Sequence, residues 1–376
     1  MKSGVYIHIP FCKSRCSYCD FATDVYRGRA AVDRYVNALV KEISDPNSEF
    51  PNPTSQIETL YFGGGTPSLL SPRQLESIVS AVSDRFALAD DLELTLEMNP
   101  ATVTPEKLRA YRSIGVNRAS FGVQTFNNRD LKLLARGHDA TDARLTYIHL
   151  REAGFENVSF DLIAGLPGQS IDDWQTNLEE AVALAPEHLS LYLLEIHEGT
   201  PLAAQLRSQR RPVPNEDVAA EMYELMLEMT ASAGLDQYEI SNFARSGFES
   251  RHNSKYWTLD PVFGFGVSAH SFDGRERYSN ERDTNLYVNA IESGASAVVA
   301  REPAELRSEF VFLGLRMMRG VDFAEYERRF GEDLRVRNGE GIDRLSSLGL
   351  IVADERRMKL TRRGALLSNE VFAEFL

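Results

Sequence analysis

Short β-rich runs alternate with stretches of helical spacing along the first half of the chain, and this alternation limits the fold more than any other feature. The runs lie at residues 5–9, 60–62, 92–98, 119–123, 158–164 and 189–194. The helical stretches cover 31–43, 72–86, 105–114, 128–134, 141–153 and 171–184. Ser71-Pro72 and Thr104-Pro105 each place a capping hydroxyl before a first-turn proline, and Gly115 and Gly154 stand where helices should stop. Six such units predict an α/β fold with a parallel sheet and right-handed crossovers, a partial (β/α)6 barrel. That is two units short of a closed (β/α)8 barrel, whose sites form in the loops after the strand C-terminal ends.

The first of those loops carries every cysteine of the chain: Cys12, Cys16 and Cys19, spaced C-x3-C-x2-C in Phe11-Cys-Lys-Ser-Arg-Cys-Ser-Tyr-Cys-Asp-Phe21. Three thiolates can hold three irons of a [4Fe–4S] cubane and leave the fourth open to a small molecule. A disulfide framework fits poorly with an odd count in a 376-residue chain lacking a secretory apolar segment near its start. Structural zinc stays open as an alternative if His8 or a distant histidine supplies a fourth ligand.

Composition narrows the class. With 43% hydrophobic residues the chain can bury a large core, and no apolar run approaches the length that spans a bilayer. The formal charge of −14 argues against broad nucleic-acid binding. Residues 1–4 are too short for a targeting segment, so a cytosolic location is expected, where thiolates and clusters persist. Residues 46–53 and 210–214 read as surface loops.

Further chemical signals fall on the later strand ends. Phe62-Gly-Gly-Gly-Thr-Pro67 follows the second strand, and Glu97 closes the third in Leu-Glu-Met-Asn-Pro100. Gln124 ends the fourth, Arg136 follows twelve residues later, and Asp161 lies in the fifth, in Asp-Leu-Ile-Ala-Gly-Leu-Pro167. The glycines permit close backbone approach to a ligand, although a tight βα turn needs them equally. Polar groups at successive strand ends converge on one mouth.

Together these motifs resemble the radical S-adenosylmethionine (SAM) proteins, and within them the oxygen-independent coproporphyrinogen III oxidase-like group, over essentially the whole chain. The resemblance implies that Cys12, Cys16 and Cys19 hold a [4Fe–4S] cluster whose open iron takes the amino and carboxylate groups of SAM. It places Tyr6 and Tyr18 beside cluster and ligand, and Gly64, Gly65 and Thr66 against the methionyl end. Arg136 is implied as partner of the SAM carboxylate, and Glu97, Gln124 and Asp161 as the polar wall around amino and ribose hydroxyl groups. In such proteins, cluster reduction can cleave SAM to a 5′-deoxyadenosyl radical. The implied organisation is a radical SAM partial barrel at 1–240, a connecting segment at 241–301, and a small winged-helix-like domain at 302–376. From Arg301 onward 14 basic and 14 acidic residues balance, so a packing or docking role suits that domain better than DNA binding.

Two departures separate the chain from the oxidases. They carry a cysteine two residues after the third ligand, where Phe21 stands here, and a long segment ahead of the cluster, where this chain has eleven residues before Cys12. Both match the group's haem-chaperone branch, as does His252-Asn-Ser-Lys-Tyr-Trp257, an HNxxYW segment. An imidazole is a good axial ligand for haem iron, and Tyr256 and Trp257 offer a flat apolar surface. From spacing alone, His252 could equally bond a loop and the aromatics simply pack. His270, in a glycine-rich turn after Gly264, is a second candidate. Met222, Met226 and Met229 form one helical stripe and read as core. The expected function is a haem chaperone passing haem to an acceptor haemoprotein, a membrane-bound respiratory one among the candidates, with the chaperone at most peripheral at the membrane's inner face. The alternatives are a radical SAM oxidoreductase acting on a tetrapyrrole and a non-catalytic SAM-binding scaffold.

Overall fold

A computed structural model of the chain describes residues 3–26, 28–45 and 56–376; the expected loop at 46–53 lies outside them. Six parallel strands stand side by side in chain order: β1 (Ser3–Ile9), β2 (Ile57–Gly64), β3 (Leu88–Met98), β4 (Arg118–Gln124), β5 (Asn157–Ala164) and β6 (His188–Leu193). Between them run α1 (Arg29–Ser44), α2 (Pro72–Arg85), α3 (Pro105–Ile114), α4 (Asn128–Leu133), α5 (Ala140–Glu152) and α6 (Ile171–Ala183). The start signals act as expected. Ser71 and Gln74 close a capping box, the Thr104 hydroxyl accepts from Lys107 N, and Gly115 ends α3 at φ 113°.

Period-two alternation divides each strand between two environments. Val5, Ile7, Leu60, Phe62, Leu94, Leu96, Phe121, Phe160 and Leu191 face the helices and join one apolar core. The opposite face is polar. It carries Thr59 and Tyr61 on β2, Glu93, Thr95 and Glu97 on β3, Arg118 and Ser120 on β4, Ser159 and Asp161 on β5, and His188, Ser190 and Tyr192 on β6. Side chains bridge strands across that face: Ser159 Oγ lies 2.8 Å from His188 Nδ1. A closed (β/α)8 barrel fills its centre with branched apolar side chains. This open one keeps a polar bore.

After α7 (Pro201–Arg207) and α8 (Glu216–Ser232), where Met222 and Met226 are buried as expected, the chain lengthens the sheet at both edges. β7 (Asp236–Glu239) and β8 (Asn242–Ala244) add antiparallel beside β6. Beyond α9 (Arg251–Thr258), β9 (Val262–Phe265) returns to pair parallel with β1. β10 (His270–Phe272), β11 (Glu276–Asn280) and β12 (Val298–Pro303) follow outward, with α10 (Thr284–Ser293) between the last two. The segment between the barrel units and the C-terminal region therefore supplies sheet as well as connection. From α11 (Leu306–Arg316) onward, short helices and a three-stranded antiparallel sheet form the winged-helix-like unit.

Candidate cluster and cofactor site

The cysteine loop leaves β1 at Pro10 and is clasped at its base, where Asp24 N donates to Pro10 O and Tyr26 N to Cys12 O, both at 2.8 Å. Ser17 pins its middle, donating through N and Oγ to the carbonyls of Leu134 and Leu133 at the end of α4 (3.0 and 2.9 Å). The cysteines are free thiols and partly buried. Thr66 Oγ1 donates to Cys12 Sγ (3.6 Å) and Arg136 Nη1 to Cys16 Sγ (3.4 Å). Burial pushes the Cys12 and Cys19 thiols up, against the Thr66 hydroxyl and the Phe21 backbone N–H that favour the thiolates. Metal loading must therefore release protons here.

The wall opposite is built as its sequence suggests. Gly64 sits at φ 108°, and a Cβ there would fall 2.6 Å from the His8 ring; one on Gly65 would fall 2.6 Å from Pro10 O. Only glycine allows the turn to lie this close to the cysteine loop. Glu97 accepts from Tyr61 Oη (2.7 Å) and Gly64 N (3.2 Å), and burial pushes its carboxyl up to about 7. Burial likewise lifts Asp161 to about 6, against hydrogen bonding from Ser190. Gln124 ends β4 at φ 69°, with its amide folded over Gly122.

Arg136 follows Ala135, whose φ of 55° ends α4 and turns the guanidinium back over the mouth. Its Nη2 donates to Asn99 Oδ1 and Gly122 O, both at 2.6 Å, while the buried Nε has no partner among the described residues. Tyr18 lies against Arg136, its phenol pushed up by burial. Sequence reasoning missed Asn99, which also donates from Nδ2 to Thr66 Oγ1 (2.7 Å) and so joins the glycine turn to Arg136. The Asn-Pro step after the third strand was its signal. It also left His8 as an optional ligand; the ring instead joins the Tyr6 hydroxyl (Nδ1, 3.1 Å) to Ala22 O in the cysteine loop (Nε2, 2.9 Å).

The residues present suit the expected group. Three thiols share one loop without a fourth, the glycine cradle is open, and an unpartnered buried guanidinium nitrogen lies beside Cys16. Among the described residues no three His, Cys, Asp or Glu side chains converge on a single metal ion. A cubane, which gives each thiolate its own iron, makes no such demand.

The HNxxYW segment forms α9, which lies under the bore. Gly4 admits it, since a Cβ there would meet Thr59 Oγ1 at 2.6 Å and His252 Nδ1 at 3.2 Å. Glu93 receives the backbone N–H groups of Arg251 and His252 (3.1 and 3.0 Å), an anion at a helix N-terminus. His252 points inward, 1% exposed: Nδ1 is 2.8 Å from Thr59 Oγ1, Nε2 is 3.1 Å from the Tyr256 hydroxyl, and its ring stacks on Tyr61 at 4.8 Å. Burial lowers its pKa to about 3. Tyr256, its hydroxyl beside His252, is 37% exposed and Tyr192, on the bore face of β6, is 40% exposed, so both border an open chamber at this end of the bore. Burial raises both phenols, joined by the Glu97 charge for Tyr256 and first by the Asp161 charge for Tyr192. Trp257 turns the other way, under the Arg316 guanidinium (4.2 Å). Beside it a cavity of about 400 Å³ is lined by Tyr256, Trp257, Phe272, Phe312 and Leu313 among others. His270 is exposed at the start of β10, away from α9 in the register of the sheet.

Partial barrel, three-cysteine loop and glycine-turn wall together define a radical SAM protein, and the profile of the Radical SAM superfamily matches residues 6–181. That of the HemN C-terminal domain matches residues 302–367. The chain belongs to the family of the heme chaperone HemW. It is 38% identical to that protein of Bacillus subtilis, covering 100% of this chain and 99% of the relative, and 35% identical to that of Lactococcus lactis, covering 100% and 97%. It is also 33% identical to the mouse radical S-adenosyl methionine domain-containing protein 1, mitochondrial, covering 100% of this chain and 87% of the relative. Among solved structures, the coproporphyrinogen III oxidase HemN of Escherichia coli superposes with a TM-score of 0.85 at 25% identity, covering 99% of this chain and 89% of that one.

Proposed function

We propose that this protein is a haem chaperone: it binds haem at the HNxxYW helix and hands it to an acceptor haemoprotein, on a scaffold carrying a [4Fe–4S] cluster and SAM. The observation that carries the reading is α9, the family's haem segment, seated under the bore with an aromatic cavity beside it. Cys12, Cys16 and Cys19 would hold the cluster. Arg136 would face the SAM carboxylate with its free Nε, a planar fork donor suited to that group. Glu97 and Asp161, with carboxyls poised near neutrality, would accept from amino and hydroxyl groups. When bound, the cluster supplies one-electron reduction of SAM. Among the described residues no helix is long and apolar enough to cross a membrane, so a membrane-bound acceptor would be met from the surface.

The intact wall also supports a second reading, a radical SAM oxidoreductase acting on a tetrapyrrole. Phe21, 65% exposed where the oxidases carry cysteine, argues against it. The deciding experiment uses anaerobic, cluster-loaded protein. Haemin is titrated in one arm, and coproporphyrinogen III is supplied with SAM and reductant in the other. The chaperone reading expects haemin binding and no decarboxylation. Turnover of coproporphyrinogen without haemin binding would establish the oxidoreductase instead.

A further inference from the structure

In the HNxxYW helix the histidine is the group least able to reach iron. His252 is 1% exposed, both ring nitrogens are engaged, and Tyr61 covers one ring face. Its backbone N–H is held by Glu93 across the bore. Ligation would require breaking the Thr59 or the Tyr256 contact and pulling the ring out of its stack. Tyr256, one helical turn on, is 37% exposed, lines the 400 Å³ cavity with Trp257, Phe272 and Phe312, and holds its oxygen 3.1 Å from His252 Nε2 in a part-buried contact.

We propose that Tyr256 is the axial ligand of haem iron, and that His252 is a positioning residue that holds the Tyr256 oxygen in place. This rests on the haem-chaperone reading above. Phenolate oxygen is a known class of ferric haem ligand. In the binding step the phenol O–H bond breaks and an Fe(III)–O bond forms in place of the bond to the chloride or hydroxide that haemin carries; the proton and the displaced anion leave to solvent, and iron stays ferric throughout. The oxygen then accepts a hydrogen bond from His252 Nε2–H, in the tautomer whose Nδ1 accepts from the Thr59 hydroxyl. A hydrogen bond to the charged form favours that form. Thr59, fully buried, thereby sets the direction of the relay from β2.

The test titrates haemin into cluster-loaded wild type, Tyr256→Phe, Tyr256→His and His252→Gln, with circular dichroism and iron content confirming fold and cluster. Visible and resonance Raman spectra report the ligand. Wild type should show iron-bound tyrosinate modes. Tyr256→Phe should lose them and bind haemin at least about tenfold more weakly, and Tyr256→His should give an imidazole-ligated spectrum. His252→Gln should keep the tyrosinate modes while weakening binding, which separates a positioning role from ligation. A folded Tyr256→Phe protein with unchanged spectrum and affinity overturns the proposal. So does a wild-type imidazole spectrum that His252→Gln abolishes. Wild type that binds no haemin removes the haem reading itself, a result distinct from haem bound without tyrosinate.

Discussion

Replacing Glu93 by alanine should weaken the hold of the barrel on α9 while leaving the protein folded. The Glu93 carboxylate is 6% exposed and receives two backbone N–H groups, from Arg251 at 3.1 Å and His252 at 3.0 Å. Hydrogen bonds to charged groups contribute about 1.5–3 kcal/mol each, and donors left buried cost extra. Because one of the two bonds is only part-buried, the lower half applies, and Glu93→Ala should cost about 3–4 kcal/mol. Stabilities of about 5–15 kcal/mol absorb that loss. Glu93→Gln keeps an acceptor without its charge and should recover about half of the loss. The assay is urea denaturation of the cluster-free protein, so that metal binding does not add to stability, with haemin titration alongside. Both variants should lower the midpoint at unchanged slope, and haemin affinity should fall in the same order. Glu93→Ala within about 0.5 kcal/mol of wild type, the range of an ordinary surface substitution, would refute the claim that this anion anchors the helix.

Cys16→Ser should abolish the cluster, since two remaining thiolates cannot retain the cubane; iron and sulfide analysis after reconstitution checks it. Arg136→Ala should weaken SAM binding by about 2–5 kcal/mol, as when one partner of a buried charge pair is removed, with the cluster retained; calorimetry showing unchanged SAM affinity would end that assignment. Glu97 is held up at about 7 against 4.5 for the ordinary carboxyl, so the folded state binds the proton more tightly. Its stability contribution is full below about pH 4.5 and is lost as pH rises through about 7, in all about 2–3 kcal/mol after allowing for its opening onto the chamber. Glu97→Gln should flatten that part of the pH–stability curve, and an unchanged slope in ligand-free protein would count against the buried environment described.

Strands and helices were legible because each strand needs its apolar positions under a helix and five of the six barrel helices, all but α1, start at a side-chain cap. Leu92-Glu-Leu-Thr-Leu-Glu-Met98 even displays the polar bore as strict alternation, a pattern that fully buried parallel strands do not show. The cysteine loop and glycine turn were legible because their chemistry is local. What stayed hidden depends on distant partners. Nothing near Val262 announces that it pairs with Gly4, and nothing in the HNxxYW run shows that Glu93, 159 residues before His252, will hold its N-terminus. From spacing alone the imidazole read as a residue bonding a loop, and the family resemblance made it a ligand candidate. Gly4, Thr59 and Tyr61 close it off, and those contacts exist only once three segments meet. Tyr192 was passed over because an aromatic on a buried strand ordinarily packs.

Floor and wall of the chamber share residues, and this bears on how one barrel could serve both cofactor and cargo. Tyr61 stacks on His252 below and donates to Glu97 above, while Tyr6 faces the same imidazole at 6.3 Å and meets His8, which reaches the cysteine loop. Arg118 lies in the bore, 1% exposed, with Nε and Nη1 unpartnered among the described residues, and its charge pulls against the burial that lifts Glu97 and Asp161. A guanidinium so placed is costly unless anions or water meet it. The two carboxyls that can ionise near neutral pH are its natural counter-charges. Any ligand whose cationic group draws protons from Glu97 or Asp161 therefore changes the field at the floor as well as at the wall. Tyr61, which donates to Glu97 and stacks on His252, is a side chain in direct contact with both the wall and the α9 helix.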